Sequence, residues 1–543
     1  MNNHDATINN VINNTTNNAI NSSINNTIIT NTTKNNSNDT TIIDKVNFSD
    51  WPWLHWAQTN PAQVALVFGE QQFTWLQVNG FVNGYAQQLS VQGVREGSVI
   101  AAVSTNNLTV LWLYLACLRL GACCVILDPK QSIEQVNDKL ETLAAAFIWL
   151  SDPELNVLQA IDYETAKQLV FTSADEPDIA REINDGVKYD AESDLECAVE
   201  WQAQRLVSIV FTSGSSGKAK AVAHNGDNQL HSAAGLLQSF AYTAQDSWLL
   251  SLPLFHVSGL AIVWRWLFAG GQLVLPSADS LVAQLAQVTH ASLVPTQLKR
   301  YLNELDANVG ADKDKEQELG TISLKRILLG GAVIPVVLTD KAKSLGIECW
   351  SGYGMTEMAS TITAKLADSS TGVGMLLAYR SLTICAKSIK VRGKSLGIGY
   401  YYRGVLRGMT DDSGWLVTGD LGEMKCGDTP SNELFILGRN DNMFISGGEN
   451  IHPEQIERVL LSHPSINQAL VFPCEDAEFG HRPIAVIDAI GHLSVSEMNN
   501  YLQNKLIKYM RPVNYYTLPE SINVTGIKLN RAVVQLWVTS LSK

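Results

Sequence analysis

Short apolar runs alternate with helical stretches along most of this chain, from Trp51 onward. The runs typical of buried strands lie at residues 99–103, 123–127, 206–211 and 272–275. Stretches with helical spacing lie at residues 108–120 and 281–289. Because strands separated by helices pair in parallel through crossover connections, the alternation predicts an α/β fold with largely parallel sheets in layers.

A second structural unit is predicted after the polar, turn-forming residues 438–442, which follow a strand-like run at 433–437. Beyond them, residues 453–462 begin with proline, which the first turn of a helix tolerates. Residues 494–510 open with a Ser-x-x-Glu capping box and end before another proline. We therefore expect a C-terminal domain of about 100 residues.

Composition places the chain among globular proteins and limits its partners. The 543 residues are 45% hydrophobic and 17% charged, with a formal net charge of −14. This negative charge argues against a nucleic-acid-binding surface, although it permits a local basic pocket. The apolar stretch 112–127 is interrupted by Arg119 and Gly121, so we expect no membrane insertion.

The first 45 residues repeat Asn, Thr and Ile with almost no charge, which predicts a disordered tail over residues 1–45. The tail lacks the basic start and continuous apolar core of a signal peptide and the arginines of a mitochondrial presequence. The eight cysteines form no CxxC pair, which favours buried free thiols in a reducing compartment. A cytoplasmic location is therefore expected.

The segment IVFTSGSSGKAKAVAHN, residues 209–225, has the chemistry of a phosphate-binding loop. Backbone N–H groups, hydroxyls and a lysine can together replace the hydration shell of an anion. A flexible linker is the alternative, but the strand-like run before the loop anchors it. The P-loop of nucleoside triphosphatases does not fit, because Thr212 stands where that motif needs glycine and Ala219 follows Lys218.

Four further loops share this small-residue character: ILLGGAVIP (327–335), SGYGMTEMAS (351–360), GWLVTGDLGE (414–423) and LGRNDNMFISGGENIHPEQIE (437–457). Taken in order with the first, over nearly all of the chain after residue 46, they resemble the adenylate-forming superfamily of acyl-CoA ligases, peptide-synthetase adenylation domains and luciferases. The resemblance implies a large N-terminal ATP- and acyl-binding domain of layered mixed sheets and helices, residues 46–439. It also implies a small mobile α+β C-terminal domain, residues 440–543.

The resemblance implies that the first loop wraps the β- and γ-phosphates of ATP. The residues concerned are Thr212, Ser213, Gly214, Ser215, Ser216 and Gly217. Lys220 takes the place of the motif lysine, while Lys218 falls at a variable position. The loop departs from the family pattern at Ser216, Ala219 and Ala221, where threonine, proline and glycine are usual.

The other loops imply the rest of the nucleotide site. The adenine and acyl pockets would be shaped by Gly330, Gly331, Ala332, Gly352, Tyr353, Gly354 and Met355. Thr356 would offer its hydroxyl to the α-phosphate and act in catalysis, and Glu357 would bind Mg²⁺. Asp420 would accept both ribose hydroxyls with help from Arg439.

Three further features imply the second half of the reaction. Asp441 occupies the hinge position of the family, and Gly447 and Gly448 fall on the loop that lines the coenzyme A tunnel. Lys528 is implied as the catalytic lysine of the C-terminal domain, although its segment reads GIKLNR where the family commonly has GKIxR. The lysine therefore stands one residue later after the glycine than usual.

Residues 251–275 and 290–302 look like the corresponding segments of the o-succinylbenzoate-CoA ligases of menaquinone biosynthesis. That acid is an aromatic keto-diacid, and only its succinyl carboxylate is activated. Arg265, between Trp264 and Trp266, is suited to neutralising the other carboxylate. His256 is expected to line or gate the acyl pocket and to take part in catalysis. Ser292 and Thr296 are candidates for hydrogen bonds to the substrate.

The implied reaction has two steps and uses ATP, Mg²⁺ and coenzyme A. A carboxylate attacks the α-phosphorus of ATP, giving an acyl-adenylate and pyrophosphate, and the coenzyme A thiol then displaces AMP. Another aryl- or acyl-CoA ligase, a peptide-synthetase adenylation domain and a catalytically inactive nucleotide-binding regulator remain alternatives. The motif residues Lys220, Glu357, Asp420, Arg439 and Lys528 argue against the inactive regulator.

Overall fold

The structure is a computed structural model, and it describes most of the chain beyond residue 47. The described residues are 48–151, 166–170, 197–212, 219–311, 323–426, 432–491, 493–519, 522 and 529–541, with the short strand Thr27–Thr30. Within them, no helix is long and apolar enough to cross a membrane.

A nine-stranded sheet forms the centre of the fold. Its strands, in spatial order, are Met375–Leu376, Ser360–Leu366, Glu348–Met355, Arg326–Leu329, His290–Leu293, Ser247–Leu249, Gln272–Val274, Val64–Phe68 and Gln71–Thr74. The strands from Glu348–Met355 to Val64–Phe68 run parallel, and antiparallel strands border them on both sides. Both faces are covered: Leu328 packs into one apolar cluster and Leu329 into another.

Two four-stranded sheets pack beside this centre and share an apolar cluster. The parallel one has the order Cys123–Leu127, Val99–Val103, Phe147–Leu150 and Lys167–Gln168. The antiparallel one has the order Val405–Arg407, Gly399–Tyr402, Lys220–Asn225 and Leu206–Thr212. The predicted phosphate-binding loop joins the last two strands, so its two ends are held by a hairpin.

A five-stranded antiparallel sheet completes this part of the chain. Its strands are Thr27–Thr30, Arg380–Cys385, Ser388–Gly393, Leu416–Cys426 and Asn432–Arg439. The strand Thr27–Thr30 lies inside the tail predicted to be disordered, so that prediction is wrong for these four residues. The strand pairs antiparallel with Arg380–Cys385 at the edge of the sheet. The rest of residues 1–45 lies outside the described part.

The helices of the described chain cover the sheets. They are Pro52–Thr59, Trp75–Val91, Leu108–Arg119, Ile133–Leu143, Gly226–Phe240, Val257–Ala269, Leu281–Ala286, Pro295–Ala311, Val336–Ser344, Pro453–Leu461, Val495–Leu502 and Arg531–Leu541. The predicted strands and helices are present with shifts at their ends. The stretch predicted as one helix over 494–510 ends at Leu502, because the Arg511 side chain binds the carbonyl oxygens of Gln503 and Leu506 and holds a turn there.

The residues beyond Arg439 form apolar clusters of their own. They contain the hairpin Phe444–Ser446 with Glu449–Ile451 and a sheet of Ile466–Asp476, Gly480–Ala489 and Tyr515–Thr517. Both clusters in this part draw only on residues after 443. The preceding strand runs through Gly438 to Arg439, which corrects the predicted strand end at residue 437. Polar contacts cross to the larger part, including Lys299 Nζ to Asn467 Oδ1 at 2.7 Å.

A buried histidine ties the strand after the phosphate-binding loop to the central sheet. His224 Nε2 lies 2.8 Å from the Thr356 carbonyl oxygen, and because a carbonyl can only accept, Nε2 carries the proton. Nδ1 then accepts from the Ser208 hydroxyl at 3.4 Å, and that oxygen accepts from Gln229 at 3.1 Å. Burial lowers the pKa of His224 to about 4, so the ring is neutral at neutral pH.

This pKa predicts a pH-dependent contribution to stability. The unfolded chain binds a proton at His224 near the ordinary pKa of 6.5, whereas the folded chain binds it near 4. The contribution of neutral His224 to the free energy of unfolding is therefore fully present above pH 6.5 and is lost as the pH falls toward 4. We expect the free energy of unfolding, measured in urea, to fall less for His224→Gln than for the native protein between about pH 7.5 and 4.5. The difference should be on the order of 2 kcal/mol. The control is His481→Gln, which replaces an exposed histidine and should follow the native protein. An equal fall in the free energy of unfolding with pH in both variants would contradict the prediction.

Candidate active site

A cavity of about 1030 Å³ lies where the parallel strands of the central sheet end. In open α/β sheets, ligands bind beyond the carboxyl ends of the strands, and this cavity follows that rule. Most predicted site residues line it: Thr212, Lys220, His256, Arg265, Ser292, Gly330, Gly331, Ala332, Gly352, Tyr353, Gly354, Met355, Thr356, Glu357, Asp420, Arg439 and Asp441. The fold therefore brings together residues separated by up to about 230 positions.

Other predicted residues do not meet at this cavity. Thr296 lies in the first turn of Pro295–Ala311 and is not among the residues lining the cavity. Gly447 and Gly448 form the turn of a hairpin in the C-terminal part and also lie outside the lining. The predicted residues Ser213, Gly214, Ser215, Ser216, Gly217 and Lys528 lie outside the described part of the chain.

The cavity wall carries a connected group of polar side chains. The Tyr353 hydroxyl donates to Asp420 Oδ2 at 2.6 Å, and Arg439 Nη1 donates to Asp420 Oδ1 at 3.2 Å. The guanidinium of Arg439 also binds Asp441, with Nε 3.1 Å from Oδ1. Arg439 thus joins the predicted ribose-binding carboxylate to the predicted hinge residue. Burial and the nearby Asp420 charge raise the pKa of Tyr353, which keeps its hydroxyl a donor.

A second group surrounds the predicted magnesium ligand. Glu357 lies in the short turn Thr356–Met358, and its Oε1 accepts from the Tyr400 hydroxyl at 3.2 Å. Lys220 Nζ lies 5.1 Å from the centre of the Tyr400 ring, within the range of a cation–π contact. The described residues contain no group of three metal-binding side chains. A Mg²⁺ ion here would therefore use Glu357 together with phosphate oxygens of the nucleotide.

Glycine at position 354 is required by the packing of the protein backbone. A Cβ at Gly354 would collide with the Ser360 carbonyl of the adjacent antiparallel strand. At Gly330, by contrast, the nearest atom to an added Cβ is the Gly352 oxygen at 3.8 Å, which is ordinary contact. Close approach of the neighbouring strand, and not space for a ligand, therefore accounts for glycine at position 354.

The cavity wall also carries a buried positive charge. Arg265 is 2% exposed, and its Nη2 lies 3.2 Å from Ser360 Oγ and 3.4 Å from Thr361 Oγ1. Its Nε has no hydrogen-bond partner, and no described carboxylate forms an ion pair with it. Burial and the charge of Arg380 lower the pKa of Arg265 to about 9, which leaves it protonated at neutral pH.

The two tryptophans beside Arg265 do not flank the cavity. Trp264 Nε1 donates to the Tyr114 hydroxyl at 2.9 Å, and Trp266 Nε1 donates to the Ala65 carbonyl at 2.9 Å. Both rings are fully buried in the apolar core. Successive residues of a helix point about 100° apart, so the helix directs its arginine to the cavity and its tryptophans away. The aromatic ring nearest to the guanidinium is Trp248, at 5.3 Å.

His256 and Ser292 also line the cavity. His256 immediately precedes the helix Val257–Ala269, and burial lowers the pKa of its imidazole. The ring is therefore neutral at neutral pH and can both accept and donate a hydrogen bond. Ser292 is 2% exposed, and its Oγ is buried without a hydrogen-bond partner in the described structure. A buried hydroxyl of this kind is suited to binding a ligand oxygen.

Sequence reasoning missed several residues that complete these groups. Tyr400, Ser360, Thr361 and His224 contact predicted site residues but belong to other strands. Ser360 is the last residue of the quoted loop SGYGMTEMAS and Thr361 follows it directly, so their position beside that loop was a usable signal. Nothing in the local sequence marks Tyr400 or His224, because strand pairing brings them to the site.

The chain matches known enzymes over most of its length. Residues 53–392 match the family described as AMP-binding enzyme. The 2-succinylbenzoate–CoA ligase of Salmonella typhimurium is 39% identical over 493 residues, which are 91% of this chain and 99% of that protein. The Escherichia coli protein of the same name is 39% identical over 491 residues, 90% of this chain and 99% of its own.

Solved structures agree with this match. A single-residue variant of Escherichia coli MenE with bound OSB-AMS has a TM-score of 0.76 at 38% identity and covers 91% of this chain and 99% of its own. The Bacillus subtilis o-succinylbenzoate coenzyme A synthetase in complex with ATP and magnesium has a TM-score of 0.72 at 28% identity, covering 86% and 96%. The chain has the fold of these enzymes and belongs to the AMP-binding enzyme family.

Proposed function

We propose that this chain is an AMP-forming acid–CoA ligase that converts 2-succinylbenzoate, ATP and coenzyme A to 2-succinylbenzoyl-CoA, AMP and diphosphate. The reaction belongs to menaquinone biosynthesis. The relatives described above, which the chain matches almost from end to end, carry the name of this activity. The observation in the chain itself that supports the acid is the buried guanidinium of Arg265 in the cavity wall.

The charge of the substrate fits that guanidinium. 2-Succinylbenzoate carries two carboxylates, and one of them must be bound without reacting. Burial of an arginine with no described carboxylate partner is costly, and a substrate carboxylate offsets that cost with charge-assisted hydrogen bonds. A fatty acid has no second carboxylate to do so. Arg265 therefore favours a diacid over a simple acyl chain.

In the first step, the protein would position the acid and ATP and stabilise the negative charge at the phosphates. With the ring carboxylate at Arg265, the succinyl carboxylate would reach toward Thr356 and Glu357 at the centre of the cavity. Asp420 would accept the ribose hydroxyls, and residues 212–217 with Lys220 would bind the β- and γ-phosphates. Mg²⁺ held at Glu357 would supply positive charge beside the phosphates. The carboxylate oxygen attacks the α-phosphorus, the bond to the β-phosphate oxygen breaks, and diphosphate leaves.

The second step requires the C-terminal part to change position. We propose that residues 440–543 rotate as a mobile domain about Asp441, which Arg439 holds by an ion pair. Lys528 would serve the first step, and the loop with Gly447 and Gly448 would line the path of coenzyme A in the second. The thiolate sulfur attacks the acyl carbonyl carbon, and AMP leaves. The protein needs no covalent nucleophile of its own.

The co-substrates also suggest where the enzyme works. ATP and coenzyme A are cytoplasmic metabolites, and the described cysteines are free thiols, as is usual in reducing compartments. We therefore propose a cytoplasmic location. Pyrophosphate release measured against a panel of carboxylic acids, with and without coenzyme A, tests the activity and separates it from another aryl- or acyl-CoA ligase. Release with none of the acids would support the inactive regulator instead.

Removing the guanidinium should weaken binding of the acid selectively. Arg265→Ala leaves the substrate carboxylate buried without a partner, so we expect the KM for 2-succinylbenzoate to rise on the order of 100-fold. The KM for ATP should change little. Arg300→Ala, an exposed arginine away from the cavity, is the control. Unchanged kinetics in Arg265→Ala would contradict the assigned acid.

Lys528 should matter in one step only. We expect Lys528→Ala to abolish adenylate formation, because it removes the positive charge at the reacting phosphate. Thioester formation from supplied acyl-adenylate and coenzyme A should persist. Each step is measured separately, by pyrophosphate release and by thioester absorbance. Equal loss of both would contradict the role.

The two lysines of the phosphate-binding loop should differ. Lys220 holds the motif position and contacts Tyr400, so Lys220→Ala should lower adenylation strongly. Lys218→Ala is the matched control and should have little effect. The measurement is pyrophosphate release at saturating acid with varied ATP. A severe loss in Lys218→Ala with little change in Lys220→Ala would reverse the assignment of the motif lysine.

A further inference from the structure

A second buried arginine lies behind Arg265. Arg380, the first residue of its strand, is 1% exposed, and it is close enough for its charge to affect Arg265. Its Nη1 donates to the Ala378 carbonyl at 2.7 Å, whereas its Nε has no partner. As with Arg265, no described carboxylate forms an ion pair with it. Arg265, which lines the cavity, therefore has a second buried cation close to it.

The helix beside Arg380 leaves room for this side chain. A Cβ at Gly235 would collide with Nη1 of Arg380 and come within 2.8 Å of the Ala378 carbonyl oxygen. Gly235 lies inside the helix Gly226–Phe240, where glycine costs about 1 kcal/mol relative to alanine. Glycine at this position thus lowers the stability of the helix but leaves space for the Arg380 guanidinium.

A chain of hydrogen bonds connects the two arginines. Arg380 Nη2 donates to the Ser232 carbonyl at 3.3 Å and lies 3.4 Å from its hydroxyl. That hydroxyl donates to the Ala359 carbonyl at 2.6 Å. Ala359 is followed by Ser360, whose Oγ is bound by Arg265. The path therefore runs from Arg380 through Ser232 and the Ala359–Ser360 backbone to Arg265.

The backbone along this path is strained. Ala359 has φ = 49° and Ser360 has φ = 117°, both in the region that favours glycine. Non-glycine residues in such conformations cost on the order of 1–3 kcal/mol each and persist only where surrounding contacts hold them. The bond from Ser232 is such a contact. Relaxation of this backbone would move the Ser360 hydroxyl that orients Arg265.

We propose that Arg380 is a specificity-determining positioning residue for the second carboxylate of the substrate. It acts through its own positive charge and through Ser232, which holds the strained backbone that orients Arg265. It does not touch the substrate. This inference rests on the proposed function, since only a diacid places a carboxylate at that wall.

The test compares two acids that differ only in the ring carboxylate: 2-succinylbenzoate and 4-oxo-4-phenylbutanoate. We expect Arg380→Met to lower the ratio of their kcat/KM values, diacid over monoacid, at least about tenfold through a higher KM for the diacid. Kinetics with the monoacid should stay close to those of the native protein. Arg380→Lys, which keeps the charge, should restore part of the ratio, and Ser232→Ala should lower it less than Arg380→Met.

The control is Arg392→Met on the adjacent strand, whose guanidinium stacks on Trp415 at 4.3 Å away from the cavity and should leave the ratio unchanged. An unchanged ratio in Arg380→Met would overturn the role of Arg380, as would equal losses with both acids. If Arg380→Met does not fold, Arg380→Lys and Ser232→Ala decide by the same ratio. A native protein that does not prefer the diacid would refute the proposed function itself.

Discussion

The pairing of two antiparallel strands, Glu348–Met355 and Ser360–Leu366, governs the geometry of the whole site. At this point the central sheet changes from parallel to antiparallel. The strands approach so closely that position 354 must be glycine, and positive φ angles occur at Ala359 in the turn and at Ser360, where the second strand begins. That turn carries Thr356 and Glu357, the strand before it carries Tyr353, and the strand after it carries Ser360.

Other elements attach to the same turn. His224 binds the Thr356 carbonyl, Tyr400 binds Glu357, and Ser232 binds the Ala359 carbonyl. Each of these bonds comes from a different strand or helix. The turn is therefore held from several directions by buried polar contacts, which are strong where water is excluded. Such support explains how the strained conformation persists and why its hydroxyls and carboxylate have fixed positions.

The cavity wall carries groups of both charges. Asp420 is bound by Tyr353 and Arg439. The buried guanidinium of Arg265, by contrast, forms no ion pair with a described carboxylate. Because burial of an uncompensated charge is unfavourable, a carboxylate bound at Arg265 would offset that electrostatic cost. This argument supports the proposal that the enzyme prefers an acid with a second carboxylate.

The alternation of apolar runs and helical stretches in the amino-acid sequence predicted the α/β class, and the resemblance of its five loops to the adenylate-forming superfamily implied the family and the candidate site residues. The sequence also indicated Arg265, whose charge is unusual within an apolar helix. It did not reveal that the adjacent tryptophans point into the core, that residues 27–30 pair with a distant strand, or that Arg380 stands behind Arg265. Those facts depend on helix rotation, strand pairing and side-chain packing between segments up to about 350 residues apart. They emerge only in the folded chain, because local spacing carries no information about which distant surfaces meet.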